Sequence, residues 1–439
     1  MEFPQVFFIA VAGITILLFA RACARIYRNI NLGRAEHLTD NFGERLKNMT
    51  LVALGQKKMF KNMIPAVLHI FIYVAFVITQ IELIEIFIDG ATGHHRVIYH
   101  AIEHIPFLKV CYIGLISFIE LLSVLALIAT FAFLSRRNLL KIPRFTKPEL
   151  SGWPTLDANL ILFFEIYLVT CIFCMNAGDM ALNNMEYGFP ISGLLAKVFM
   201  MMPQGIVWFI ERAGWWGHIL GVLAFLIYLP NSKHLHILLA FPNTFFARLQ
   251  PKGYMSSMPE ITKEVKLMMN PDMAFAAPTG EPEAPVKFGA KDVFDLSWKN
   301  LLDAYSCTEC GRCTAACPAN LTGKKLSPRK IMMDTRDRLE EVSRNIDKNN
   351  GIWQDDGKSL IENGYITVEE LRACTTCNAC VEECPIMITP LDIILQLRRN
   401  LVMEDSNAPA EWAGMFSNME NNGAPWQFSP QDRLNWVKE

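Results

Sequence analysis

Eight of the chain's twelve cysteines fall into two runs, CTECGRCTAACP and CTTCNACVEECP. The first contributes Cys307, Cys310, Cys313 and Cys317, the second Cys374, Cys377, Cys380 and Cys384, and each run ends on a proline, Pro318 or Pro385. In this spacing three thiolates on a tight turn grip one iron–sulfur cubane, while the fourth, carried on the following segment, reaches a second one. The expected ligand sets are therefore Cys307, Cys310, Cys313 and Cys384 for one [4Fe-4S] cluster, and Cys374, Cys377, Cys380 and Cys317 for the other. A zinc site would instead use paired C-x-x-C ligands in sets of four. The remaining four, Cys23, Cys111, Cys171 and Cys174, are scattered through apolar segments, where a thiol serves packing.

Histidines form the second constellation. His69 lies near one end of an apolar run, and His236 falls at nearly the same depth in a later run, so two neutral imidazoles on different helices can meet an iron between them. His218 and His236 are 18 residues apart, five full turns of an unbroken helix, and would project from one face about 27 Å apart. On that helix His234 points away from His218 and is the poorer ligand. The expectation is one haem b held by His69 and His236. A second haem at His218 would take its partner from His100, His104 or a methionine, because the position ten residues after His69 is Thr79. His94 and His95 read as loop residues. Glu120 and Glu165 fall near mid-depth, where a carboxylate is costly unless paired or protonated, so both are candidates for a proton path or for holding a quinone head group. Glu82 and Glu85 lie nearer a helix end.

These side chains need a membrane scaffold and a soluble one. With 439 residues, 52% hydrophobic and 19% charged, the chain is too long and too apolar for one soluble domain, and a net charge of -2 provides no basic field for nucleic acid. Five runs can cross a bilayer: Phe3 to Ala20, Met63 to Ile88, Phe107 to Leu134, Leu156 to Met175 and Gly214 to Ala240. The first has no basic segment before it and no small-residue cleavage site, so it reads as a retained helix. Phe189 to Met202 is too short to span and suits an interfacial helix. Fourteen basic residues follow spans one and three against four on the other side, which places the N-terminus outside and the C-terminal half in the cytoplasm. Residues 251–289 read as a linker rich in Pro, Met and Glu. Ser327 to Asn345, Ile366 to Ala373 and Leu391 to Met403 read as helices around the cysteine runs. Trp412, Trp426 and Trp436 dot a polar tail as partner anchors or packing residues.

The expected fold is all-α: a five-helix transmembrane haem b bundle followed by a cytoplasmic helical dicluster ferredoxin domain. Its divisions are a membrane domain at 1–240, a linker at 241–290, a dicluster domain at 291–403 and an arm at 404–439. The chain resembles membrane electron-transfer subunits of the heterodisulfide reductase type. The resemblance rests on LLDAYSCTECGRCTAACPANLTGKKLSPRKI, the second cysteine motif and YLPNSKHLHILLAFPN. The five-span part is similar to the gamma subunit of respiratory nitrate reductase, and the fused plan to the membrane subunit of the quinone-interacting membrane-bound oxidoreductase complex. That resemblance implies a quinone substrate, haem ligands at His69, His218 and His236, and a bacterial or archaeal cytoplasmic membrane. It also implies a cytoplasmic catalytic partner, either a cysteine-rich heterodisulfide reductase-like protein or a flavoprotein. No Cys-Cys-Gly, GxGxxG or Walker motif is present, so the substrate site is expected on that partner. The expected function is electron relay between the quinone pool and this partner; the alternative is a membrane-anchored redox sensor, which has no need of a depth-matched histidine pair.

Overall fold

The computed structural model describes residues 2–183, 188–270 and 287–438. Among them it is helical throughout, without a β-strand beyond two isolated bridges. Five helices are long and apolar enough to cross a membrane. These are α1 (Phe3–Ile30), α2 (Met63–Thr92), α3 (Pro106–Asn138), α4 (Trp153–Asn183) and, after the short α5 (Ser192–Phe199), α6 (Gln204–Tyr228), which gains one 3-10 turn to Asn231. Each runs several residues beyond its apolar stretch. Proline in the first turn of α1 and α3 forfeits only an N–H that would lack a partner there, and Gly93, at φ 74°, stops α2 in the left-handed conformation.

The fifth span departs from expectation. It does not continue to Ala240: Pro230 has no N–H for the carbonyl of Leu226, and the chain passes through 3-10 turns and an extended Ser232 before α7 (His236–Phe245) begins. Asp157 of α4 fixes this break. Its carboxylate accepts from the Ser232 hydroxyl at 2.7 Å, the Lys233 N–H at 3.1 Å and the Tyr228 hydroxyl. His218 and His236 therefore do not share one helical face. The divide expected at residue 240 likewise falls inside α7.

In the expected linker, α8 (Pro259–Met269) forms, started by Pro259 and framed by Glu260 and Lys266 at its positive and negative ends; 271–286 of that linker lies outside the described residues. Beyond it come α9 (Trp298–Ser306), α10 (Pro328–Lys348) and α11 (Pro390–Met403). In α10, Ile331, Leu339, Val342 and Ile346 recur at helical spacing and are buried. They belong to one core with Leu301, Ile393 and Leu397, and that core continues into Ile26 and Ile30 of α1 and into Leu229 and Leu235 at the break. The two halves thus share apolar packing. Backbone bonds add to it: Arg34 N–H donates to Leu296 at 2.7 Å and Trp298 N–H to Arg34 at 3.0 Å. Gly33 permits this approach, since a Cβ there would stand 2.7 Å from the Trp298 nitrogen. The C-terminal α12 (Ala410–Asn422) buries none of its residues, and Trp412, Trp426 and Trp436 are exposed.

Candidate functional site

The two cysteine runs fold into matching loops. Cys307 and Cys374 end short helices in extended conformation, and two residues later Glu309 and Thr376 take φ of 54° and 55°. The following Gly311 and Asn378 cap the next turn at φ 71° and 61°. In the second loop the Thr376 N–H points to Cys374 Sγ at 3.4 Å, and beyond it the Ile388 N–H points to Cys384 Sγ at 3.3 Å. Such bonds stabilise charged sulfur. None of the eight is in a disulfide.

Tertiary packing crosses the loops over. Cys317, from the first run, lines one small cavity with Cys374, Cys377 and Cys380. Conversely, Cys313 lies within electrostatic range of Cys307, Cys310 and Cys384. The donor set is matched to metal. Burial pushes the Cys307 and Cys380 thiols up to about 12, and Cys384 to about 11, so these sulfurs are thiolates only beside a cation. Among the described residues no three metal-binding side chains converge closely enough for a single ion. A cubane has no such need, because each thiolate binds a different iron.

The histidines are arranged less simply. His69 and His236 lie within electrostatic range of each other, with His234 beside both. His236 Nδ1 stands 3.0 Å from the Lys233 carbonyl, which selects the tautomer that leaves Nε2 bare for a metal. His69 Nδ1 is buried without a partner. These features fit axial ligation. His234 corrects the sequence reading: the helix break turns it inward, where it packs edge-on against Phe225 at 5.3 Å and His236 at 5.5 Å and lines the bundle cavity.

That cavity, about 460 Å³, is walled by α1, α2, α3, α4 and α6 and holds His218, His234 and Glu165. Neither His100, His104 nor any methionine lines it, so no partner for His218 comes from those expected. His100 faces Glu103 at 3.2 Å instead. Glu120 is absent from the wall too. Its two oxygens accept from the Ile191 and Ser192 N–H groups at 2.6 and 3.0 Å and so cap α5, which accounts for its burial without a proton path.

Residues 306–388 match the family model of the 4Fe-4S dicluster domain. This segment is a dicluster domain. Over more of its length the chain is 27% identical to the probable iron-sulfur-binding oxidoreductase FadF of Bacillus subtilis (463 residues; 98% of this chain, 60% of that one). It is 25% identical to the EtfAB:quinone oxidoreductase of Syntrophomonas wolfei (92% of this chain, 55% of that one). Within the C-terminal part it is 35% identical over 109 residues to one of the subunits of the ferredoxin/F(420)H(2)-dependent CoB-CoM heterodisulfide reductase of Methanosarcina acetivorans, 25% of this chain and 52% of that one. The chain thus spans 60% or less of the first two relatives. No solved structure matches. The chain is related to iron–sulfur electron-transfer oxidoreductases, in keeping with its heterodisulfide reductase-type resemblance.

The dicluster domain meets the membrane half through its first cysteine loop and through the end of the second, where Lys61 binds Glu383 at 2.5 Å. Glu309, between Cys307 and Cys310, binds Lys233 at 2.5 Å and Arg336 at 2.8 Å, and Lys233 also reaches the Pro154 carbonyl at 2.6 Å. Burial would raise the Glu309 carboxyl, but Arg336 and Lys233 outweigh it and hold the group below the ordinary glutamate range. Arg312 of the same loop is close enough to act on His69. Lys58, in the segment before α2, lies near Cys384, and Arg144, after α3, near Cys310. Arg329 is fully buried and binds Glu149 and the Arg144 carbonyl, both at 2.7 Å.

Sequence reasoning missed this interface because its partners lie far apart in the chain. It missed a second network at the opposite end of the bundle for the same reason. There the buried Arg96 stands 3.5 Å from both Glu82 and Glu85, 3.6 Å from Asp179 and 2.8 Å from Asn176. The signal was available only as three acids and one arginine near the ends of their helices.

Proposed function

We propose that the chain is the electron-transfer subunit of a membrane oxidoreductase, linking the quinone pool to a cytoplasmic catalytic partner. Cys307, Cys310, Cys313 and Cys384 would hold the first [4Fe-4S] cluster, Cys374, Cys377, Cys380 and Cys317 the second, and His69 with His236 a haem b. When bound, these groups supply one-electron carriers. What this chain contributes is their order. The observation that carries the reading is the wedge of the first cysteine loop between the histidine cluster and the second loop: Arg312 faces His69, Cys313 neighbours Cys380, and Cys377 is exposed on the far side. An arrangement buried at the histidine end and exposed at Cys377 suits a relay whose substrate site lies on a partner.

The orientation follows from the basic segments after α1 and α3, which stand on the dicluster side of the bundle and put that side in the cytoplasm. The partner would be a cysteine-rich heterodisulfide reductase-like protein or a flavoprotein, as the resemblance implies; one relative is named as a heterodisulfide reductase subunit and another as an EtfAB:quinone oxidoreductase. The test is a reduced-minus-oxidised optical spectrum of the purified protein with a quinol analogue as reductant, alongside iron and haem per chain. Reduction of one haem together with the iron–sulfur absorbance supports the relay. Iron without haem would return His69 and His236 to structural roles and favour a redox sensor.

A further inference from the structure

The polar groups of the bundle cavity are not equally committed. Thr79 and Gln80 turn back to the Phe76 carbonyl of their own helix, and Ser123 to that of Ile119. Glu82 is engaged by Asn176 and Arg96. Two remain unspent. His218 is 9% exposed and its Nδ1 has no hydrogen-bond partner, while Glu165 makes no hydrogen bond or ion pair among the described residues. A buried imidazole left without a partner carries a desolvation cost that a hydrogen-bonding ligand in the cavity would recover.

We propose that His218 binds the head group of a quinone, not a haem iron, with Glu165 facing the same space as the second proton-exchanging group. This rests on the relay reading above and assigns its membrane-side substrate site. Three observations support it. No methionine lines the cavity, and its one other histidine, His234, packs edge-on against His236 beside His69, so it stands with that pair and not as a partner for an iron at His218. Its lining is chiefly apolar with few polar groups, as a prenylated ring requires. Phe76 and Leu238 line it and are 40% and 44% exposed, so the cavity is not sealed, and it lies among helices apolar enough to cross a membrane, where such a ligand resides.

The chemistry balances on these two side chains. Oxidation of a hydroquinone turns both C–O–H groups into C=O and frees two electrons and two protons. The electrons leave singly toward the chain's iron centres, which are the oxidant. The protons pass to the lone-pair nitrogen of His218 and to the Glu165 carboxylate. Quinone reduction uses the same groups in reverse.

The test compares wild type, His218→Ala and Glu165→Gln in the full purified chain. Three readouts are taken: haem per chain with its dithionite-reduced spectrum, fluorescence quenching of a 2-alkyl-4-hydroxyquinoline N-oxide on binding, and the rate of haem reduction by a naphthoquinol. His218→Ala should keep haem and spectrum while binding the N-oxide at least about tenfold more weakly, the worth of one lost hydrogen bond. Glu165→Gln, nearly isosteric, should keep haem and N-oxide binding and slow reduction by quinol. Loss of haem in His218→Ala, with the iron–sulfur absorbance intact, would overturn the proposal by making His218 an iron ligand. Unchanged binding and reduction in both variants would overturn it as well. Failure of the relay reading looks different: wild-type protein itself would not be reduced by quinol.

Discussion

The two cysteine loops are nearly superposable in backbone terms and opposite in surroundings. Cys317 and Cys384, the residues that leave each loop, have φ and ψ of -73°, 118° and -71°, 122°. Yet the first loop is enclosed by Arg144 and Lys233 from the membrane half, whereas the second meets that half only at its end, through Lys58 and Lys61, and exposes Cys377. Spacing dictates the loop, and the neighbours dictate which way it faces. A sequence motif therefore specifies that two clusters are held, while tertiary contacts specify which loop is enclosed against the membrane half and which is left exposed.

The harshest way to break this comparison is to exchange its crossing ligands. Cys384→Ser should remove the same electron paramagnetic resonance signal as Cys307→Ser, and Cys317→Ser the same signal as Cys374→Ser, each with the loss of roughly half the iron. If Cys384→Ser behaves like Cys374→Ser, each loop holds its own cluster and the crossing is wrong.

A milder change sharpens the contrast without removing iron. Lys233 joins the histidine segment to Glu309 in the first loop only. Lys233→Met should leave iron content intact but slow electron passage from the membrane half to the clusters on the order of tenfold, as a small misplacement of docked groups does. Freeze-quenched spectra after mixing with quinol would show it. Lys325→Met, which removes an exposed pair with Glu369 in the dicluster half, should have no such effect.

Next comes the Glu149–Arg329 contact, also confined to the first loop's side. Arg329 is fully buried and Glu149 11% exposed, so Glu149→Gln should cost about 2 kcal/mol of docking or stability, below the value for a wholly enclosed pair. Burial acts to raise the Glu149 carboxyl, but hydrogen bonds from Arg329 and Ser327 prevail and hold it below the ordinary glutamate value. Its contribution is therefore complete above that ordinary value and is lost as pH falls through the depressed one. Acid unfolding of Glu149→Gln should lack this component, which a pH series of thermal melts would reveal.

Most of the scaffold is legible in the sequence, because its signals are local. The apolar runs of α1 to α4, the helix over Pro328–Lys348 and the cysteine spacing each lie within a few tens of residues. What failed did so for physical reasons. Apolar residues continue on both sides of Pro230 and Ser232, so the fifth span reads as unbroken in sequence, although the proline and the turn-forming serine mark the break that brings His234 inward. The fate of Glu120 depended on α5, a segment some seventy residues away. Sequence could flag that a buried carboxylate needs a partner; it could not say that two amide groups would supply it.

The finest test lies in the residue that starts the second half of each loop. Both positions need a left-handed backbone, supplied by Gly311 in the first loop and Asn378 in the second. Asparagine adopts this conformation more readily than other residues with a Cβ, and at Asn378 it is already accommodated, so Asn378→Gly should change stability by only a few tenths of a kcal/mol. Gly311 has no such latitude. A Cβ there would lie 2.5 Å from Arg329 Nη1, which donates to Arg144. Gly311→Ala should therefore cost about 1–2 kcal/mol of backbone strain and disturb the docking contact as well. Thermal melts of Gly311→Ala, Gly311→Asn and Asn378→Gly separate the two contributions. If Gly311→Asn is as harmless as its counterpart in the second loop, the membrane half does not press on the first loop, and the enclosure that distinguishes the two motifs is looser than their contacts imply.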